Sequence, residues 1–345
     1  MRPTWLRGRK SVSIACSRGN TKKRPSNRSS GEQPALFSEV RNAYLKTHAN
    51  GAVESNTLKT ATTHLRHLGE TLGETFSMVG LTLAHLQEHI ERRRADVAST
   101  TIEKEIDTFR AAWNWACRMG MTQGVFPNTG LVYPKTEEKL PFMTFHEIER
   151  HINAGGNTDE LRECLFLTHT EITELLDHVE GRRIASWIYP AFTLTAHTGA
   201  RRSEMMRARP EDVDLAGGTV TIREKKRARG KRTTRRVPLT NRLADALAAW
   251  LAESGGNTFL FGLGTRMRGS QTVQKAFHRA LKGSRWQVLR GWHVLRHSFI
   301  SALASRGVDQ RLIDDFVGHQ TEEQRRRYRH LYPSVQQKAI QDVFD

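Results

Sequence analysis

The sequence predicts a mainly α-helical protein with one small antiparallel sheet: an N-terminal helical bundle followed by a larger α+β domain. Three observations carry this. Apolar residues recur at helical spacing from Pro34 almost to the end of the chain. Only 219–222 and 235–239 alternate like strands. Between positions 121 and 140, Pro127, Asn128 and Pro134 interrupt the helical pattern and divide the 345 residues into two stretches of domain size.

Composition narrows the function classes. The formal net charge is +18 and the isoelectric point is near 10.4, which points to a polyanionic partner; with no lipid-binding amphipathic stretch in evidence, that partner is nucleic acid. Cys16, Cys117 and Cys164 are widely spaced and form no Cys-x-x-Cys, so neither a disulfide framework nor a zinc knuckle is expected and the compartment reads as reducing. No run of 18 apolar residues exists, so no membrane span is expected.

Residues 1–32 are rich in Arg, Lys and Ser, and the first acidic residue is Glu32. This basic arm is expected to be disordered. A flexible DNA contact, a presequence of the same composition and an extension without function are the three readings.

The segment 33–122 reads as four helices. Phe37, Val40 and Tyr44 mark the first; Leu58, Ala61, Leu65, Leu68 and Leu72 the second; Leu83, Leu86 and Ile90 the third. The fourth has Thr100 and Glu103 as a capping box, a stripe of Ile102, Ile106, Phe109, Trp113 and Ala116, and an end at Gly120. Trp113 reads as a core anchor. Lys59, Arg66, Arg92, Arg93, Arg94 and Arg110 fall on outer faces, where the overall basicity makes them candidate phosphate contacts.

After the linker 123–140 comes the second domain, 141–345. FMTFHEIERHI at Phe142 is echoed by FLTHTEITELL at Phe166, 24 residues later. A helix through Ile188, Phe192 and Leu194 leads to Thr198-Gly199-Ala200-Arg201-Arg202-Ser203-Glu204, where Glu204 is placed to hold an arginine. The two strands flank a basic turn containing Lys225, Lys226 and Lys231, and helices at 242–251 and 273–281 cover the sheet. Then comes WHVLRHSFISALASRGVDQRLIDDFVGHQTEEQRRRYRHLY, from Trp292 to Tyr332. His293 and Arg296, three apart, share a face at a helix start suited to an anion. The apolar side is Leu295, Phe299, Ile300 and Leu303, and Gly307 closes the helix. A short helix from Gln310 to Val317, with Leu312, Ile313 and Phe316 inward, ends at Gly318-His319, and Tyr328 follows nine positions after His319. The pair His293 and His297 has metal spacing, but Val294 stands where a zincin glutamate belongs and no third ligand is evident, so no metal is expected.

His-x-x-Arg, Gly-His, a tyrosine nine residues on and an upstream Thr-Gly-x-Arg-x-x-Glu box, in this order, resemble the tyrosine recombinase (phage integrase) family over residues 140 to 345. The resemblance implies a helical core-binding (SAM-like) bundle before an α+β integrase-type catalytic domain. It implies site-specific cleavage and rejoining of double-stranded DNA through a 3′-phosphotyrosine, a tetramer on two sites, no cofactor, and action in the cytoplasm on the nucleoid. Family members begin this domain with a single Leu-Thr-x-x-Glu-Ile helix start, so 168–176 takes that place and the copy at Phe142 is an inserted helix. Arg201 rather than Arg202 takes the family arginine position, supported by Glu204. Lys226 is the choice for the catalytic lysine, with Lys225 and Lys231 as rivals.

A tyrosine keeps a phosphate activated for resealing without water or ATP. Its ordinary pKa of about 10 calls for cationic neighbours, for which Arg201, Arg296 and the run from Arg325 to Arg327 are candidates. Arg201 and Arg296 are expected to clamp the phosphate, His293 to relay the proton of the Tyr328 phenol, His319 to hydrogen-bond the phosphate and Lys226 to protonate the leaving 5′ oxygen. The tail with Val335, Ala339, Ile340, Val343 and Phe344 reads as a short amphipathic helix for a neighbouring subunit or for its own domain. A type IB topoisomerase and a non-catalytic DNA-binding remnant are the alternative readings.

Overall fold

The computed structural model describes residues 34–51, 53–135, 140–154, 158–182, 184–224, 234–318, 326–328 and 341–344. Two compact units divide the chain between positions 137 and 138.

In the first unit α1 (Phe37–His48), α2 (Ser55–Leu72), α3 (Leu83–Arg93) and α4 (Ser99–Arg118) form the bundle. The α4 stripe lies in the core: Ile102, Ile106, Phe109, Trp113 and Ala116 are all buried, each large side chain contributing about 1.5–3 kcal/mol of apolar transfer. Phe109 meets Phe37 edge-on at 5.6 Å and Phe126 at 5.4 Å, so part of the Pro-marked stretch after α4 packs on this unit. Helix α4 starts earlier than the Thr100 box places it. Its N-cap is Ala98, whose carbonyl takes the N–H groups of Thr101 and Ile102, leaving Thr100 inside the first turn. Gly120 does end it, in the left-handed region at φ 70°.

One outer-face expectation also shifts. Glu105 is fully buried and receives His67 Nδ1 at 2.7 Å, His89 Nε2 at 3.0 Å and Arg93 Nη2 at 3.1 Å. Burial alone would raise its pKa; His89, Arg93 and His67 outweigh that and hold the carboxyl well below the usual range. Arg93 therefore turns inward, because a buried carboxylate must be compensated.

The second unit contains α5 (Phe145–Asn153), α6 (Thr158–Glu163), α7 (His169–Gly181), α8 (Ile188–Thr198), α9 (Arg202–Arg207), α10 (Asn241–Glu253), α11 (Ser270–Leu281), α12 (His293–Ser305) and α13 (Gln310–Val317). The strands β1 (Val213–Asp214), β2 (Thr219–Arg223) and β3 (Thr234–Pro238) form an antiparallel sheet in the order β1-β2-β3. Register Val220↔Val237 and Ile222↔Arg235 turns Val220, Ile222 and Val237 to the core.

Helix α8 is the axis of this unit and packs against α7, α10 and α12. Its Ala191, Phe192 and Leu194 are fully buried, and its interior threonines satisfy their hydroxyls locally, Thr195 donating to Ala191 O at 2.8 Å and Thr198 to Leu194 O at 2.6 Å.

The 24-residue echo is a structural duplication of a helix start. Thr144 caps α5 and Thr168 caps α7, and each threonine N–H donates to the glutamate three residues on at 2.7 Å. A short parallel bridge pairs Met143 with Leu165, so Phe142 and Phe166 enter the same apolar cluster.

Helix α13 matches its expected limits and closes at Gly318, φ 66°, but Leu312 is 45% exposed while Ile313 is buried. Among the described residues no helix is long and apolar enough to cross a membrane. Residues 341–344 are helical, with Val343 and Phe344 exposed. The arm 1–32, Arg325 and the tail residues Val335, Ala339 and Ile340 lie outside the described residues.

Candidate active site

The site is assembled at the ends of four elements. Helix α8 stops at Gly199 in the left-handed region, φ 61°. A Cβ there would lie 2.8 Å from the Phe299 ring and 3.0 Å from Val317, so only glycine lets α12 and α13 approach the turn this closely. The turn delivers Arg201 as the N-cap of α9. Glu204, one turn on, accepts the Arg201 backbone N–H at 2.8 Å and its Nη1 at 2.7 Å. Arg202 instead reaches Gln274 at 2.9 Å, so Arg201 is the one held beside the carboxylate, with a third of its side chain still open to solvent.

Arg296, one turn into α12, is 3% exposed. Its Nη1 donates to Gly199 O at 2.7 Å and its Nη2 to Val317 O at 2.6 Å. Both carbonyls end helices, α8 and α13, whose C-terminal dipoles favour a cation and make tolerable a buried guanidinium that pairs with no carboxylate among the described residues. Burial first, then repulsion from Arg201 and Arg235, presses its pKa down to about 9, with Glu204 pulling the other way. Arg296 is protonated at neutral pH, but in a field short of negative charge. Two of its five N–H donors serve these carbonyls.

Sequence reasoning missed Arg235. On β3 it donates Nη2 to Glu204 at 2.8 Å, Nη1 to Glu224 at 3.3 Å and Nε to Phe316 O. The signal was in the alternation: a strand that turns Val237 inward also turns Arg235 inward. Arg201 and Arg235 thus both bond Glu204, Arg235 also reaches Glu224, and Arg296 feels the Glu204 charge.

Burial alone would raise the Glu204 pKa, but hydrogen bonds and charge from Arg235 and Arg201 take it from 4.5 to about 2. A depressed carboxylate stabilises the fold above its unfolded pKa and loses that contribution as pH falls through the folded one. The difference corresponds to about 3 kcal/mol for this buried group. Denaturant titration should therefore show Glu204→Gln less stable than wild type by about 3 kcal/mol at pH 7 and by less than half of that at pH 3. Equal gaps at both pH values would contradict this.

His293 opens α12 and is open to solvent on one side; desolvation on its protein side, then Arg296, Arg201 and Arg202, push its pKa below the ordinary histidine value. It does not hold the phenol. Tyr328 OH pairs with His297 Nδ1 at 2.8 Å, and the Tyr328 ring stacks on Phe142 at 4.7 Å. Nor do cations win at the phenol: Tyr328 is 3% exposed, and burial raises its pKa against the opposing pull of Arg296 and Arg327. Lys226, its rivals Lys225 and Lys231, and His319 lie outside the described residues. Among the described residues no cluster of His, Cys, Asp and Glu could hold a metal.

The model of the Phage integrase family matches residues 165–334. The type 1 fimbriae regulatory protein FimB of Escherichia coli K12 is 32% identical over 163 residues, covering 45% of this chain and 78% of FimB. The chain belongs to the phage integrase family of tyrosine recombinases. Tyrosine recombinase XerC of Mycobacterium tuberculosis is 27% identical to this recombinase over 266 residues, 74% of this chain and 80% of XerC. The integrase of transposon Tn1549, solved in complex with transposon right end DNA, shares its fold at a TM-score of 0.64 and 15% identity, over 90% of this recombinase and all of that chain. The fold is thus the integrase type, mainly helical with a small antiparallel sheet.

Proposed function

We propose that this tyrosine recombinase exchanges double-stranded DNA at specific sites with Tyr328 as the nucleophile. The observation that carries the reading is the cationic cluster around Glu204: Arg296 is buried, repelled by Arg201 and Arg235, and bonded to helix-end carbonyls. A phosphodiester supplies the missing negative charge, and more of it as charge grows in the pentacoordinate transition state.

In this mechanism Arg201 and Arg296 hold the non-bridging oxygens, and Glu204 and Arg235 fix their positions. The Tyr328 oxygen attacks phosphorus, forms a 3′-phosphotyrosine and releases a 5′ hydroxyl; attack by the partner strand's 5′ hydroxyl reverses the step and reseals. His293 takes the phenol proton once the tyrosine is engaged. From the family pattern, His319 donates a hydrogen bond to the phosphate and Lys226 protonates the leaving 5′ oxygen. No cofactor takes part.

In the first unit Lys59, Arg66, Arg92, Arg94 and Arg110 are exposed and contact the DNA backbone. Arg66, Arg94 and Arg110 pair with Glu70, Glu91 and Asp107, three or four residues away; such surface pairs contribute only about 0.2–1 kcal/mol and are readily exchanged for phosphates. Arg93 serves first to neutralise Glu105.

The working form is a tetramer on two DNA sites, acting in the cytoplasm on the nucleoid; XerC as a relative and integrase structures that include a lambda integrase tetramer on a Holliday junction support this reading. No observation favours the topoisomerase or the remnant reading. Sequencing DNA trapped covalently on the protein in its native cells tests the proposal. The expected result is a few recurrent junctions attached through a 3′ phosphate; scattered attachment without shared sequence would contradict it.

A further inference from the structure

Arg235 does more than balance Glu204. It lies on β3 opposite Ile222 of β2, one residue past Thr234, where the chain returns from the segment that contains Lys225, Lys226 and Lys231. Its Nη1 donates at 3.3 Å to Glu224, the residue from which the chain enters that segment, so one guanidinium fastens the entry to the exit. Its Nη2 donates to Glu204 at 2.8 Å, and Glu204 holds Arg201 Nη1 at 2.7 Å. Arg201, Glu204, Arg235 and Glu224 therefore form one line of alternating charges from the N-cap of α9 to the base of the β2–β3 hairpin. Glu204, Arg235 and Glu224 are all buried, where ion pairs are little screened. Nε of Arg235 reaches Phe316 O near the end of α13, so its planar fork is held by acceptors on three segments.

A general acid acts only within hydrogen-bond reach of the atom it protonates. A lysine supplied by the hairpin meets that condition only when the hairpin is in register with the arginines that hold the phosphate. We propose that Arg235 is the positioning residue that sets this register, tying the base of the β2–β3 hairpin to the Glu204 and Arg201 pair so that the hairpin lysine meets the leaving 5′ oxygen. The inference rests on the function proposed above, in which a hairpin lysine is the acid. In that step the bond from the Tyr328 oxygen to phosphorus forms, the bond from phosphorus to the 5′ oxygen breaks, and the electron pair left on that oxygen takes the ammonium proton.

The test uses the full chain and two saturating suicide substrates, ordinary DNA and DNA with sulfur in place of the bridging 5′ oxygen, whose thiolate leaves with little need of a proton. Arg235→Lys keeps the charge but not the fork. It should cleave ordinary DNA about 10- to 100-fold more slowly than wild type, yet come within about threefold of wild type on the sulfur substrate. A purely structural role slows both substrates equally; that result, or no slowing at all, would overturn the proposal. Glu224→Gln keeps the shape and leaves the bond from Arg235 to Glu204 in place. It should lose about two- to tenfold on ordinary DNA, with the same recovery on sulfur, and absence of either overturns the register even if Arg235→Lys fails to fold. Arg201→Ala, which loses a phosphate contact, should stay slow on both. Lys225→Ala, Lys226→Ala and Lys231→Ala separate the two claims. If sulfur rescues none of them, the hairpin acid falls; if it rescues one of them but not Arg235→Lys, only the positioning role falls.

Discussion

Replacing Arg296 by lysine should lower the rate of DNA cleavage by about 10²- to 10³-fold, the loss seen when one preorganised electrostatic donor is removed from a charge-developing transition state. Lysine keeps the charge but not the planar fork that reaches Gly199 O and Val317 O together. Arg296→Ala should be at least as slow, and less stable, because two helix-end carbonyls lose their buried donor. Arg201→Ala, at a partly exposed position that leaves Glu204 with Arg235, should lose a similar factor with less loss of stability. In all three variants the defect should appear at saturating DNA while affinity changes little, since each arginine is one phosphate contact among many before the reaction and a principal one during it. Quench-flow cleavage at saturation, set beside binding titrations, separates the two quantities. Normal cleavage at saturation with weakened binding would reduce both arginines to backbone contacts.

Much of this site is legible as sequence because its parts are set by local rules. Gly199 and Gly318 mark helix ends that only a left-handed residue can make, and the helical spacing of His293 and Arg296 puts both at the start of α12. The choice of Arg201 over Arg202 came from family likeness; in the structure Arg201 pairs with Glu204 and Arg202 with Gln274. What could not be read depends on contacts between distant segments. Arg235 joins the site only because β3 lies beside α13, and a basic residue in a strand pattern otherwise reads as solvated. Arg93 turns inward only because Glu105 is buried across the bundle. Tyr328 was expected to be acidified by Arg201, Arg296 and the run from Arg325 to Arg327, but its ring stacks on Phe142, 186 positions earlier, and its hydroxyl pairs with His297. In that cluster desolvation outweighs the cations. The helix-start echo was visible in the letters, yet its bearing on the tyrosine was not, since that requires the Met143 to Leu165 bridge that brings both phenylalanines to one place.

The assignment of Tyr328 carries the whole account, and its substitution should have the largest effect of all. Phenylalanine keeps the ring that stacks on Phe142 and removes only the oxygen bonded to His297, so folding and DNA binding should survive while the covalent step has no nucleophile. Tyr332, four residues on, is the internal control. The measurement is denaturing electrophoresis of the protein incubated with a radiolabelled nicked suicide substrate, which traps any phosphotyrosine by letting the short cleaved fragment diffuse away. Wild type and Tyr332→Phe should give a DNA-linked band that withstands denaturant, and Tyr328→Phe should give none. A band in Tyr328→Phe, or its loss in Tyr332→Phe alone, would contradict the account.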